Sequence, residues 1–335
     1  MINKILKFIQ KNNLIPQNSK IIVGLSGGPD SIFLLRVLHE LQKIINFELI
    51  AAHLNHEWRS NSYLDVELCS ATCKALNIPL VTKKVSELNI TFKFKGSKEE
   101  HARNLRRHFF ATVKTQLNAD RVALAHHLID QEETFFIRLI RGSTLSGLTS
   151  MKACEDFYIR PLLEIKKTEI LDYLNTHNIQ FIIDYTNESP DFLRNRIRNN
   201  VIPELQKVDN RFDYNFLRTL TKLQETEEFL EKLVEEKFEE ISRVPFRPEL
   251  VEEYRYAIDL NKLFALDTFL INKLIFHWLY KSKVKFELSE KFIHEIIRFL
   301  RQSGSSNHEI HHEWSIGKKK NLATIIKAPL NPGNK

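Results

Sequence analysis

In the first 200 residues, short apolar runs alternate with segments whose apolar residues recur at helical spacing. The apolar runs predict six strands, at residues 20–25, 48–54, 79–85, 121–126, 157–160 and 180–183. The segments between them predict helices at residues 31–45, 63–76, 98–115, 130–141 and 166–176. Strands and helices that alternate in this way predict an α/β fold, with a doubly wound parallel sheet covered by helices on both faces.

After about residue 208 the pattern changes to helices alone. Residues 212–241 have the spacing of one long amphipathic helix, and residues 260–300 continue with aromatic-rich helical spacing. A polar stretch follows, and residues 314–326 predict a short hairpin around Gly317 and Lys318. We therefore expect an α/β domain at 1–208, a smaller α-helical domain at 209–301, and a polar linker with a short tail at 302–335.

Composition narrows the class of protein. The net charge is +7, and residues 1–200 hold 27 Lys and Arg against 21 Asp and Glu, which mildly favours a polyanionic partner. The three cysteines, at 69, 73 and 154, form no C-x-x-C pair and fit a reducing compartment. No apolar run approaches the roughly 18 residues of a membrane span, and no signal peptide is recognisable. We expect a soluble cytoplasmic protein without a membrane partner.

Two of the chain's 9 glycines, Gly27 and Gly28, are adjacent in the stretch SGGPDS at residues 26–31, called here the 26–31 loop. The loop lies between a predicted strand and a predicted helix. Glycines let backbone amides approach an anion closely, the helix start adds N–H groups and a favourable dipole, and Ser26 and Ser31 add hydroxyl donors. The pattern is neither the dinucleotide glycine motif nor the Walker motif. It predicts a phosphate-binding turn.

Two other residues of this loop refine the prediction. Pro29 suits the first turn of a helix. Asp30 is unusual beside a phosphate unless a divalent cation intervenes, and a carboxylate at a polyphosphate site is a natural Mg²⁺ ligand. The alternative is a simple glycine-rich turn in which Asp30 only caps the helix.

Three further stretches carry polar residues at helical spacing. In HHLIDQEETFFIRLIRG, residues 126–142, Asp130, Glu133 and Thr134 share one face near a helix start. In EEHARNLRR, residues 99–107, one side of a helix carries Glu99 and three arginines, and residues 184–203 add DYTNESPDFLRNRIRNNVIP. Taken singly, carboxylates in a first turn are usually partners of the helix dipole, and arginines on a helix usually form a solvated face.

Taken together and in this order, the four stretches resemble the tRNA(Ile)-lysidine synthetases, a family of N-type ATP pyrophosphatases. The stretches His-Leu-Asn-His at 53–56 and Arg-Pro-Leu-Leu at 160–163 also match that family's pattern, and the resemblance covers roughly residues 18–205. Ile129 departs from it, because the family usually has an acid there. The resemblance implies a Rossmann-like fold of the adenine nucleotide alpha hydrolase type.

The resemblance also implies a reaction. Such an enzyme joins L-lysine to C2 of the wobble cytidine, position 34, in a tRNA(Ile) with a CAU anticodon. It uses ATP and Mg²⁺, passes through an adenylated cytidine, and releases AMP and pyrophosphate. In the second step the lysine amine, whose pKa is about 10.4, must lose a proton. A binding pocket with carboxylates would first attract the ammonium and could then accept that proton.

Site roles follow from the motifs and the resemblance. The candidate catalytic residues are Asp30, Asp130 and Glu133; of these, Asp130 and Glu133 bind the lysine substrate and Asp30 holds Mg²⁺. The candidate ATP-binding residues are Ser26, Gly27, Gly28, Pro29, Asp30, Ser31, His53, Arg103 and His126. Sequence alone does not divide the arginines between ATP and tRNA; Arg106, Arg194, Arg196 and Arg198 are assigned to the tRNA.

Two alternatives remain. A tRNA thiolase uses the same loop but generally needs reactive cysteines, whereas Cys69 and Cys73 lie four residues apart in a helix-like segment. The other alternative is a tRNA-binding homologue that has lost catalysis. The presence of Asp30, Asp130 and Glu133 disfavours that alternative, and Ile129 leaves it open.

Overall fold

The structure is a computed structural model that describes residues 1–88, 90, 98–182, 192–242, 257–284, 289–311 and 313–327. The chain divides into two compact units, Met1–Gln224 and Glu225–Lys335. The expected boundary at residue 208 therefore differs from the observed one, which falls within a long helix. No helix among the described residues is both long enough and apolar enough to cross a bilayer.

A six-stranded sheet forms the centre of the first unit. Its strands are β1 (Ser19–Gly24), β2 (Phe47–Asn55), β3 (Leu80–Lys84), β4 (Arg121–Ala123), β5 (Cys154–Glu155) and β6 (Tyr158–Ile159). Their order is β3-β2-β1-β4-β6-β5, and every pairing is parallel except that of β5 with β6. The strand order reverses between β1 and β4, which is the point where doubly wound sheets bind ligands. The predicted α/β fold is confirmed.

Helices cover both faces of this sheet. The helices that begin in this unit are α1 (Ile2–Lys11), α2 (Pro29–Leu41), α3 (Tyr63–Ala75), α4 (Lys98–Gln116), α5 (Leu128–Ile140), α6 (Leu145–Leu148), α7 (Lys167–Thr176), α8 (Leu193–Arg196), α9 (Ile202–Val208) and α10 (Phe212–Ser242), the last of which continues into the second unit. Because side chains alternate along a strand, Ile21 and Val23 of β1 pack into one core with α1 and α2, while Ile22 packs into a second core with α4.

One predicted strand is not formed. Residues 180–182 have no strand structure, and residue 183 lies outside the described residues. The reason is local, because the backbone N–H of Ile182 donates to the carbonyl of Gly27 at 3.0 Å instead of to a strand. The antiparallel strand β5, which the sequence analysis does not predict, forms the edge of the sheet next to β6.

The second unit contains a sheet as well as helices. After the end of α10 come β7 (Ile258–Asp259), α11 (Leu260–Phe264), α12 (Thr268–Lys281), α13 (Glu290–Arg301), β8 (Ser306–His311), β9 (Trp314–Lys319) and β10 (Leu322–Lys327). The strands form an antiparallel sheet in the order β7-β10-β9-β8. The second unit therefore carries a four-stranded sheet among its described residues. Of that sheet, the sequence analysis expects only a hairpin at residues 314–326 of the tail.

The strands of the expected tail belong to the core of this unit. Ile316, Ala323 and Ile325 are buried in the same cluster as residues of α12 and α13. The β9–β10 turn lies at Lys320, whose φ is +56°, and not at the expected Gly317 and Lys318, which lie within β9.

A candidate active site at the reversal of strand order

The 26–31 loop joins β1 to α2 through a closed set of hydrogen bonds. Gly27 has a φ of +85°, a left-handed conformation that favours glycine, and Gly28 is extended and caps α2. The hydroxyl of Ser31 donates to the carbonyl of Gly28 at 3.0 Å and accepts from the N–H of Ser26 at 3.1 Å. The first N–H groups of a helix have no intrahelical acceptor, so the loop presents donors for an anion beside the start of α2.

His127 links this loop to α5. It is the N-terminal cap of α5, and its Nε2 lies 3.7 Å from a carboxylate oxygen of Asp30 and 3.7 Å from one of Asp130. The carboxylate of Asp130 also accepts the backbone N–H of His127 at 2.8 Å. One buried imidazole therefore lies between two predicted catalytic carboxylates, at the ends of β1 and β4.

Asp130 and Glu133 have different environments. Glu133 is fully buried, and that burial raises its pKa to about 7 even though Arg198 and Arg194 lower it. Burial also raises the pKa of Asp130, but the neighbouring His127 and His126, the His127 N–H and Arg198 together bring it below its usual value. Two neighbouring carboxyl groups thus have pKa values shifted in opposite directions.

Arg198 and Arg194 hold this carboxyl pair. The guanidinium of Arg198 donates from Nε to Glu133 and lies 3.3 Å from Asp130, and Nε of Arg194 lies 3.3 Å from the second oxygen of Glu133. Both arginines were assigned to the tRNA from sequence. In the structure their contacts with the carboxylates place them at the same site as the candidate lysine-binding residues.

The two predicted ATP-binding histidines are neutral. Burial lowers the pKa of His53, and its Nδ1–H donates to the carbonyl of Leu25 at 2.9 Å, so its buried Nε2 is an acceptor without a partner among the described residues. Burial and the nearby arginines 160, 103 and 106 together lower the pKa of His126 to about 4, although Asp130 raises it. An acceptor nitrogen suits a hydroxyl or amine of a nucleotide better than a phosphate.

Arginines surround one side of the site. The pKa of Arg103 is lowered by burial and by its neighbours Arg107, Arg160 and Arg194, so several guanidinium groups lie close together. Arg106 and Arg196 are exposed. This concentration of positive charge suits a polyanion such as a nucleotide or an RNA backbone.

Several residues of the quoted motifs have structural roles. The side chain of Gln131 donates to the carbonyl of Met151 at 3.1 Å and accepts its N–H at 2.8 Å, and Arg138 donates to the carbonyls of Gly147 and Ser150. Thr134 donates to the carbonyl of Asp130 within α5. These contacts fix the chain after α5 and so hold the site in place. Residues 184 and 187 of the third motif lie outside the described residues.

Sequence reasoning left one residue of this site open and missed two others. From sequence, His127 could position either substrate or be purely structural, and it is not among the candidate ATP-binding residues. Lys167, whose Nζ lies 2.6 Å from Asp30, belongs to no quoted motif. Glu132 is fully buried beside Glu133, and its helical position gives no indication of that.

Comparison of the chain with known proteins identifies its family. A family model described as a PP-loop domain matches residues 1–205. The chain is 34% identical to the tRNA(Ile)-lysidine synthase of Clostridium acetobutylicum over 301 residues, which are 89% of this chain and 64% of that protein. It is 35% identical to the tRNA(Ile)-lysidine synthase of Petrotoga mobilis over 215 residues, 64% of this chain and 69% of that protein.

Among solved structures, the U34-tRNA thiolase NcsA from Methanococcus maripaludis matches with a TM-score of 0.56 and 22% identity, over 67% of this chain and 80% of that chain. That likeness concerns the fold. The chain spans less than two thirds of the clostridial relatives, 64%, 53% and 62% of three of them. The family model and these relatives show that the chain belongs to the tRNA(Ile)-lysidine synthase family of PP-loop proteins.

Proposed function

We propose that this protein is an ATP-dependent ligase that joins L-lysine to C2 of cytidine 34 in a tRNA(Ile) with a CAU anticodon. The observation that carries the proposal is the joining of two parts by His127: a phosphate-binding turn at residues 26–31, and the carboxyl pair of Asp130 and Glu133. The names of the relatives support the tRNA substrate.

In the first step, the cytosine O2 attacks the α-phosphorus of ATP, and the bond from that phosphorus to the bridging oxygen of pyrophosphate breaks. The amides at the start of α2 hold the leaving phosphates, and the hydroxyls of Ser26 and Ser31 join them when a phosphate oxygen replaces their partners within the loop. Asp30 fits a magnesium ligand, because its carboxylate is 29% exposed beside this loop and oxygen is the donor that Mg²⁺ prefers. Bound there, the ion would offset phosphate charge.

In the second step, the lysine amine attacks C2 of the adenylated cytidine and AMP leaves. Only about 1 in 2,500 amines of pKa about 10.4 is neutral at pH 7. Asp130, with its lowered pKa, stays ionised and attracts the ammonium, while Glu133, with a pKa of about 7, is suited to accept the proton near neutral pH. Arg198 contacts both carboxylates, so the amine must displace at least one of these contacts.

The tRNA backbone meets positive charge near the site. Of the arginines assigned to the tRNA, Arg106, Arg196 and Arg198 are exposed, but the charges of Arg194 and Arg198 are already opposed by buried Glu133. We therefore expect Arg106 and Arg196 to contribute most to the salt-dependent part of tRNA binding.

A thiolase is the competing enzyme class. Cys69 lies beside the loop, with its Sγ 3.6 Å from the point where a Cβ on Gly27 would stand. Burial raises the pKa of its thiol to about 12 and that of Cys73 to about 11, so both are protonated at neutral pH. Thiol chemistry requires the thiolate, and these cysteines therefore favour a structural role.

The test is a two-part assay on the purified protein. With ATP and a CAU-anticodon tRNA, we expect pyrophosphate release that depends on the tRNA and incorporation of labelled lysine into it. Asp30→Asn should reduce pyrophosphate release at least 100-fold, while Asp156→Asn, the same change at an exposed residue, should leave it unaltered. Sulfur incorporation without lysine would support the thiolase, and tRNA binding without turnover would support an inactive homologue.

A further inference from the structure

Lys167 contacts the phosphate-binding turn although it lies 137 residues after Asp30 in the sequence. It is the first residue of α7, and its Nζ lies 2.6 Å from Oδ1 of Asp30, in the first turn of α2. The two side chains are 28% and 29% exposed, so the pair lies at the opening of the site and not in a core.

The neighbouring lysine points to a different partner. Nζ of Lys166 lies 2.7 Å from Asp213, a residue at the start of α10. The N–H of Lys166 donates to the carboxylate of Glu169 at 2.9 Å, which fixes the start of α7. Of these two consecutive lysines, Lys167 is the one that contacts Asp30.

Stability gives little reason for the Lys167–Asp30 contact. Partly exposed ion pairs contribute little to folding free energy. Helix α7 is already held by the fully buried Ile170 and Leu174, and the ring of Tyr173 packs edge-on against Phe33 of α2 at 5.2 Å. The contact therefore calls for a functional explanation.

We propose that Lys167 is a phosphate-binding catalytic residue, whose ammonium exchanges Asp30 for the β- and γ-phosphates when ATP occupies the 26–31 loop. The inference rests on the proposed function and deepens it, because it names a new contact within the same nucleotide site. The loop supplies amides, hydroxyls and one carboxylate but no cation, and a carboxylate alone repels a polyphosphate. An ammonium on a flexible four-carbon stem can change anionic partners without moving its backbone.

The exchange helps the chemical step as well as binding. As the bond between the α-phosphorus and the bridging oxygen breaks, negative charge collects on the pyrophosphate. An ammonium already on the β- and γ-phosphates stabilises that charge. When Lys167 moves from Asp30 to the phosphates, both carboxylate oxygens of Asp30 become available to another cation.

The test compares three variants of the full chain: Lys167→Ala, Lys167→Arg and, as the matched control, Lys166→Ala. Calorimetry measures the affinity of each for inorganic pyrophosphate, for AMP and for a non-hydrolysable ATP analogue. Lys167→Ala should weaken pyrophosphate and analogue binding roughly 10- to 100-fold and leave AMP binding unchanged. Lys167→Arg should recover part of the loss, and Lys166→Ala should bind all three ligands as the wild type does.

Two outcomes would overturn the inference: wild-type pyrophosphate affinity in Lys167→Ala, or an equal loss in Lys166→Ala. The melting temperature without ligand separates a folding defect from a binding defect, since we expect Lys167→Ala to melt as the wild type does. These binding measurements need neither tRNA nor lysine. A different result is a wild type that binds pyrophosphate more tightly than Lys167→Ala does and yet fails to incorporate lysine into tRNA. That result would contradict the proposed function and still support the phosphate contact of Lys167.

Discussion

At the scale of single residues, Glu132 is the most unusual side chain of the site region. It is fully buried, and neither carboxylate oxygen has a hydrogen-bond partner among the described residues. Burial and the negative charges of Asp213 and Glu133 together raise its pKa to about 8, although Lys166 lowers it. Glu132 is therefore mostly protonated at pH 7, next to a carboxyl group assigned to catalysis.

This burial predicts a pH-dependent stability. The folded-state pKa lies above the unfolded value of 4.5, so the stability linked to the bound proton is complete below pH 4.5 and is lost as the pH rises toward 8. Glu132→Gln keeps the shape without the charge. We expect the variant to gain up to about 3 kcal/mol over the wild type at pH 7 and nothing at pH 4.

Urea unfolding at several pH values measures that difference. The informative quantity is the gap between variant and wild type, since other groups titrate equally in both proteins. A gap that stays constant from pH 4 to pH 8 would show that Glu132 is ionised in the folded protein.

Glu133 leads to a prediction about activity. Glu133→Gln should leave tRNA-dependent pyrophosphate release within about threefold of the wild type but reduce lysine incorporation at least about 100-fold, because it removes the proton acceptor. In the wild type, the rate of lysine transfer should rise with pH toward about 7 as Glu133 loses its proton. Glu132→Gln, the same change one position earlier on α5, is the matched control and should retain lysine transfer. Equal loss of both steps in Glu133→Gln would contradict the assignment.

At the scale of elements, two glycines allow the effect of a substitution on stability to be distinguished from its effect on phosphate binding. One is Gly28, in the turn between β1 and α2, and the other is Gly142, after α5. At Gly28 the backbone is extended, and an added Cβ would meet its nearest neighbour, the Ser26 hydroxyl, at 3.5 Å. At Gly142, after α5, φ is +73° and nothing lies within 4 Å of an added Cβ. One position therefore tolerates a methyl group in the folded backbone, and the other is strained by it.

We accordingly expect opposite effects from two alanine substitutions. Gly28→Ala should keep or slightly raise the melting temperature and lower ATP affinity at least tenfold, because its methyl group projects where phosphate approaches the amides. Gly142→Ala should cost about 1 kcal/mol of stability through the left-handed backbone and leave ATP affinity unchanged. Calorimetric ATP binding and thermal melting report the two effects; unaltered ATP affinity in Gly28→Ala would move the phosphate site away from this turn.

The length of each helix or strand also explains which of them the sequence predicts. β1, β2 and α2 are long and flanked by clear turn signals, so local pattern is sufficient to locate them. β5 and β7 each have two residues, too few to show a period. β7 pairs with the distant strand β10, and β5 forms a tight hairpin with β6. The loop motif predicts the position of Asp30, but its contact with Lys167 joins residues 137 positions apart, and no spacing rule reports it.

At the scale of the whole molecule, charge is the property most relevant to a large polyanionic substrate. The net charge of +7 comes mostly from residues 1–200, the part that also contains the site. Every removed arginine changes the net charge by one, but only an arginine that displaces counterions from the tRNA should change the salt dependence of binding. The salt dependence of binding therefore distinguishes an arginine that contacts the tRNA from one that contributes only to the net charge.

Arg196 and Arg211 allow that comparison. Both are exposed, and Arg211 pairs with Asp209 two residues away, so its removal matches the charge change without touching the site. Arg196→Ala should weaken tRNA binding and reduce the slope of log affinity against log salt concentration by about 1, while Arg211→Ala should leave the slope unchanged. Filter binding between 50 and 200 mM salt measures both. Equal slopes in the two variants would mean that tRNA binding depends on net charge alone. In that case the tRNA would not contact α8, the helix that carries Arg196.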